Sequence, residues 1–149
     1  MTNKGIFIST PISGFQNQSD YLAFRGVVLQ LIKRLQECYN VCSEIETVHG
    51  KDSYDSPQKS VENDFQSIKN NEAFILLHPT RMQSSSLVEF GYACAFDKKI
   101  VVVGKRTDFP YLVVGYERYS KDAQIVETDS LCEADFDGIC KVIDELLGE

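Results

Sequence analysis

Apolar positions along this 149-residue chain form two kinds of run, short continuous blocks and longer stripes at helical spacing. The blocks are Ile6-Phe7-Ile8, Val41 to Ile45, Ala73-Phe74-Ile75-Leu76-Leu77-His78 and Ile100-Val101-Val102-Val103-Gly104. Each has strand length, and Gln124 to Val126 supplies a shorter candidate. Helical spacing covers Tyr21 to Cys38, where Leu22, Val28, Leu31, Ile32 and Leu35 form a stripe that leaves Lys33 and Arg34 outside. It also covers Lys59 to Asn70, Ser84 to Phe96 and Cys132 to Leu147. Thr47 to Gln58 is polar and holds Gly50 and Pro57, so it reads as a loop. Thr107 to Tyr119 shows no regular pattern. Strands without polar alternation, separated by helices, imply a parallel sheet covered on both faces. The pattern predicts a single three-layer α/β/α domain over residues 1–149. Its sheet is mainly parallel, flavodoxin- or Rossmann-like, with about five strands.

Length and composition agree with that reading. A chain of this size removes roughly 70% of its unfolded surface from water, enough for a real core. Hydrophobic content of 43% and charged content of 25% are ordinary for a globular domain. A net charge of −7 argues against a nucleic-acid polymer or a membrane surface as partner. The N-terminus has no signal-peptide layout, and no apolar run reaches membrane-spanning length, so a cytoplasmic location is expected. Cys38, Cys42, Cys94, Cys132 and Cys140 lack metal-binding spacing and are expected as reduced core thiols, without zinc.

One carboxylate stands out against this background. Glu89 is the only charged residue between Ser84 and Phe96, on a helix that is apolar on nearly every side. An unpaired buried carboxylate is costly, so Glu89 needs either a capping duty or a chemical one. Ser86-Leu87-Val88-Glu89 fits the S-x-x-E capping box. Against capping, Glu89 shares its side of the helical wheel with Ala93 and Phe96, and Gly91, Ala93 and Ala95 would admit a neighbouring backbone.

A second acid, Asp64, lies within about sixty degrees of the stripe Val61, Phe65 and Ile68, at 3.6 residues per turn. Glu62 and Asn63 point away from it. In parallel α/β sheets ligands bind at the carboxyl ends of the strands. There the loop Thr10-Pro11-Ile12-Ser13-Gly14 and the residues Ser84, Ser85 and Ser86 become candidate substrate-binding groups. The three serines would offer hydroxyls and amides at a helix N-terminus. The first loop has one glycine and matches neither a P-loop nor a dinucleotide fingerprint. His49 and His78 have no metal-ligand spacing and read as surface or structural. No metal and no cofactor are expected.

These segments together resemble the nucleoside 2-deoxyribosyltransferase superfamily, in particular its nucleoside 5′-monophosphate N-glycosidase branch. The resemblance rests on Ile6 to Gly14, on Asp64-Phe65-Gln66-Ser67-Ile68 before the buried strand, and on Glu89-Phe90-Gly91-Tyr92-Ala93 followed by Lys98-Lys99-Ile100. It implies a nucleophilic Glu89 that attacks the anomeric carbon, with Asp64 orienting groups or assisting proton transfer to the departing base. It also implies sugar or phosphate binding by Ser84 to Ser86. The transferases carry an Asp-x-Gly-Thr run where this chain has Gln83-Ser84-Ser85-Ser86, and the hydrolases an arginine where it has Ser13. A TIR domain is a second resemblance, through Phe7-Ile8-Ser9 and a helix-borne glutamate, and it implies an NAD hydrolase or cyclase. A non-catalytic nucleotide-binding sensor is the third alternative. The expected partner is a small nucleotide or nucleoside, NAD included. The apolar Glu89 helix further predicts a homodimer or higher homo-oligomer.

Overall fold

A computed structural model of the protein describes residues 3–48 and 56–148. Its sheet contains β1 (Gly5–Ser9), β2 (Asn40–Cys42), β3 (Ala73–His78), β4 (Lys99–Gly104) and β5 (Ala123–Glu127). All four pairings are parallel, in the order β2-β1-β3-β4-β5. The helices are α1 (Gln18–Leu35), α2 (Pro57–Asn70), α3 (Ser86–Ala95), α4 (Tyr111–Tyr119) and α5 (Phe136–Leu146). The single three-layer domain and its parallel, flavodoxin-like sheet are as the pattern predicts.

Alternation along the strands divides the core in two. Ile6, Ile8, Ile75, Leu77, Val101 and Val103 pack with α1 and α5. Phe7, Phe74, Leu76, Ile100 and Val102 pack with Ile68 of α2, Phe90 and Ala93 of α3, and Val113 of α4. The three central strands β1, β3 and β4 are therefore apolar on both sides, which is why their sequences show no polar alternation.

Several local expectations are corrected. In α1 the buried positions are Tyr21, Phe24, Val28, Leu31, Ile32 and Leu35, while Leu22 is exposed. Tyr21 takes the inner position because its hydroxyl donates to the Val48 carbonyl at 2.6 Å. The second strand stops at Cys42, and Glu44–Glu46 form a 3-10 turn capped by Ser43. The α2 helix begins at Pro57, as proline suits a first helical turn, and Ser56 accepts from the Lys59 amide. Residues 107–119 are not irregular, since α4 occupies most of them. The last helix begins at Phe136, after a 3-10 turn over Glu133–Asp135. The five cysteines are free thiols; Cys42, Cys94 and Cys140 are half-buried against the core, whereas Cys38 and Cys132 are exposed rather than in it. His49 and the middle of the predicted 47–58 loop lie outside the described residues.

Candidate active site

In the strand order 2-1-3-4-5 the chain leaves β1 towards one edge and reaches β3 on the other side. The carboxyl ends of β1 and β3 therefore border the crevice where such sheets bind ligands. Ser9 closes β1, and the loop after β3 leads into α3, which places Glu89 over the same crevice. Glu89 is 9% exposed, and the Ser9 hydroxyl donates to its Oε1 at 2.5 Å.

Glu89 does not cap its own helix. The N-cap is Ser85, one residue before the position the S-x-x-E pattern assigns, and it makes no side-chain cap bond. Ser84 does the local work: its hydroxyl oxygen accepts from the Ser86 amide at 3.1 Å and from the Ser86 hydroxyl at 2.8 Å. With the register shifted by one residue, the Glu89 carboxylate is directed across to β1. The inner face of α3 is Ser86, Glu89, Phe90 and Ala93. Phe96 does not share it: this residue is exposed, with the Lys69 ammonium 5.6 Å from its ring centroid.

Asp64 reaches the same crevice from α2. Val61, expected inward, is half exposed and lines the cavity mouth, whereas Phe65 stacks on Tyr92 at 3.9 Å and Ile68 is buried. Asp64 forms a side-chain hydrogen bond with Glu89. Burial first, then that hydrogen bond and the repulsion from Glu89, push the Asp64 carboxyl up to about 8. Burial likewise raises Glu89, while hydrogen bonds from Asp64 and Ser9 work the other way. The pair thus holds one proton near neutrality. Asp64 is the better place for it, because Ser9 already stabilises Glu89 as an anion.

A third acid, which the hydrophobic pattern does not mark, joins the pair. Glu44, in the turn after β2, offers an oxygen within 4.8 Å of oxygens on Asp64 and Glu89. Its turn is held rigidly. The Ser43 hydroxyl donates to the Ile8 carbonyl at 2.8 Å, and Arg25 donates to the Ile45 and Glu46 carbonyls at 3.0 Å. A hard cation could also be spanned by three oxygens so placed, but it would need all three groups ionised. The burial of Glu89 and of Asp64 favours carboxyl groups that share protons.

The cavity over these acids measures about 430 Å³, a size that suits a nucleoside-scale ligand. Thr10, Ile12, Ser13, Ser84, Ser85 and Ser86 line it together with Glu44, Asp64 and Glu89. Pro11 and Gly14 are not part of the lining. Gly14 acts behind it, because a Cβ there would stand 2.7 Å from Met82 Sδ and 2.9 Å from the Gln83 carbonyl. Only glycine lets the first loop pack so tightly on the third. The amides of Ser86, Leu87, Val88 and Glu89 already donate within the first turn.

His78 lies outside this constellation. It is buried at the end of β3, with Nε2 3.3 Å from the Asp108 carbonyl, and burial lowers its pKa. Its role is structural, one of the two readings its sequence context allowed. No described helix is long and apolar enough to cross a membrane.

No protein-family model and no curated protein matches the chain. Solved structures do. The solution structure of BlsM is 22% identical, with a TM-score of 0.76 over 99% of this chain and 96% of that one. The CMP N-glycosidase BcmB of Clostridium botulinum is 16% identical, with a TM-score of 0.61 over 95% and 98%. A conserved protein of Enterococcus faecalis V583 is 14% identical, with a TM-score of 0.52 over 95% and 88%. The fold expected from the deoxyribosyltransferase resemblance is the fold found, at identities that speak for architecture alone.

Proposed function

We propose that this chain is an enzyme that breaks the bond between sugar and base in a nucleoside or nucleotide, by hydrolysis or by transfer to another base. The observation that carries the reading is the carboxyl pair. Glu89 is buried, free of any capping duty and held by Ser9, with a proton-bearing Asp64 beside it under a cavity of ligand size.

The chemistry follows from the two protonation states. The Glu89 carboxylate attacks the anomeric carbon, and the electron pair of the carbon–nitrogen bond leaves with the base. Asp64 delivers its proton to the departing nitrogen, which avoids expelling a base anion. Positive charge developing on the sugar is met by the Glu89 anion in a low-dielectric setting. Water or a second base then displaces Glu89 from the covalent glycosyl intermediate, and the ionised Asp64 recovers a proton from that nucleophile. Carboxyl groups about 5–5.5 Å apart characterise such double displacements, because no room is needed for a water between acid and sugar. Glu89 and Asp64 share a hydrogen bond, so they leave no room for a water between them. Thr10, Ile12, Ser13 and Ser84 to Ser86 are assigned to the sugar and its substituents.

The test is chromatography of bases released from a panel of ribo- and deoxyribonucleosides, their monophosphates and NAD. Release of a base by wild type, and a loss of at least about a thousandfold in Glu89→Gln with an unchanged circular-dichroism spectrum, is the expected outcome. Undiminished release by the variant would remove Glu89 from the mechanism. Cleavage of NAD alone would favour the TIR-like reading. A ligand-induced melting shift without released base would favour the sensor.

A further inference from the structure

A second cavity, of about 240 Å³, adjoins the candidate active site between the turn after β2 and α2. It shares Glu44, Ser60 and Asp64 with the first, so these residues form the partition between the two. Ser43, Thr47, Asn63 and Ser67 complete its polar lining. It is smaller than the ~300–1,000 Å³ of most ligand pockets. A water needs only about 30 Å³ and two to four polar partners, so this cavity has room for several.

The partition holds the groups that the second half of the reaction needs. In a double displacement the second nucleophile enters on the side the base has left, and the acid of the first step serves as base in the second. Asp64 stands on that side, because it hands the base its proton, and it is then ionised. It also makes a side-chain hydrogen bond with Glu44. Once the Asp64 proton is gone, the two carboxyl groups lack a donor between them. A water from the second cavity that directs one O–H at each supplies that donor, and leaves a lone pair for the anomeric carbon.

We propose that the second cavity delivers the water that resolves the glycosyl–Glu89 intermediate, with Glu44 positioning that water, so that the chain is a hydrolase rather than a transferase. The inference rests on the proposed sugar–base cleavage and names which of its two outcomes prevails. The water oxygen bonds to the anomeric carbon as the bond from that carbon to Glu89 breaks, and the electron pair returns to the Glu89 carboxylate. One water proton goes to Asp64, which regains its starting state. The other stays on the new sugar hydroxyl, hydrogen-bonded to Glu44. A transferase has to keep water from its ester intermediate. A polar cavity separated from that ester only by Glu44, Ser60 and Asp64 works against it.

The test is a competition between water and a base. The substrate that wild type cleaves is supplied with an excess of a different free base, and chromatography measures free sugar against the newly glycosylated base. Wild type should yield mostly free sugar. Glu44→Gln sets an amide donor against Asp64 in place of the water. It should lower the ratio of free sugar to new glycoside about tenfold, the worth of one hydrogen bond to a charged group. Asn63→Leu and Ser67→Leu narrow the second cavity, since neither residue lines the first, and leucine suits a helix. Both should shift the ratio the same way. Base release that gives mainly new glycoside in wild type would overturn the inference and leave the cleavage reading standing. So would a ratio that none of the three substitutions moves. No base release from any nucleoside or nucleotide would end both.

Discussion

Asp64 is in tension with folding, and that tension can be measured. Its pKa rises from an ordinary 3.8 to about 8 in the fold, so the native state favours the protonated form. The associated stability is full below about pH 4 and is lost as pH rises through 8. Asp64→Asn should therefore melt close to wild type near pH 4 and increasingly above it as pH climbs to 8. A constant difference across that range would mean that Asp64 titrates normally. Ser9 makes the opposite contribution to its neighbour. A hydrogen bond to a charged group is worth about 1.5–3 kcal/mol, which is about one to two pH units. Ser9→Ala should raise the Glu89 pKa and move the acid limb of kcat/KM to higher pH by about that much. An unmoved acid limb would show that the Ser9 bond does not stabilise the Glu89 anion. Both acids were legible in the sequence because each interrupts or borders an apolar helical stripe. Glu44 was not. In Ser43-Glu44-Ile45-Glu46 the charges alternate with the buried Ile45 and resemble the solvated side of a strand end. Only the Ser43 and Arg25 hydrogen bonds, made to residues distant in sequence, turn that segment into the cavity wall.

At the scale of elements, legibility followed burial. The continuous run Ala73–His78 was read to the residue because every position in β3 is buried. The α4 helix was invisible for the converse reason: Val113 is its only fully buried residue, and its large apolar side chains point outward. Its inward face, Val113 with the half-buried Val114 and Tyr116, is too narrow to stand out against the exposed apolar residues. What fixes α4 is the turn before it, where Gly104 closes β4 at φ +157. A Cβ on Gly104 would stand 2.3 Å from the His78 carbonyl and 2.9 Å from the Phe109 ring. His78 anchors the same turn through the Asp108 carbonyl. Gly104→Ala should destabilise the domain by about 2 kcal/mol through forced overpacking and an unfavourable φ. At this chain length that corresponds to a melting point lower by about 4–8 °C. A change under one degree would show that the β4–α4 turn can yield without loss.

On the scale of the whole molecule, the flavodoxin-like order brings three acids from separate helices and turns to one crevice, in a chain already at −7. Among the described residues lining the cavity there is no lysine or arginine. The serine hydroxyls and the positive end of α3 are the groups that could favour an anion, against up to three carboxyl groups and the net field. Substrate charge should therefore matter through long-range repulsion as well as through contacts. Repulsion between like charges weakens as the Debye length shrinks from about 30 Å at 0.01 M salt to about 8 Å at 0.15 M. For a nucleoside monophosphate, kcat/KM should rise with ionic strength over that range, mostly through a falling KM. For an uncharged nucleoside with the same base and sugar it should stay nearly flat. The measurement is a salt series on the matched pair at fixed pH. A monophosphate whose KM instead rises with salt would mean that a cationic group outside the described cavity wall captures the phosphate, and the carboxyl-rich crevice would then not set the charge preference.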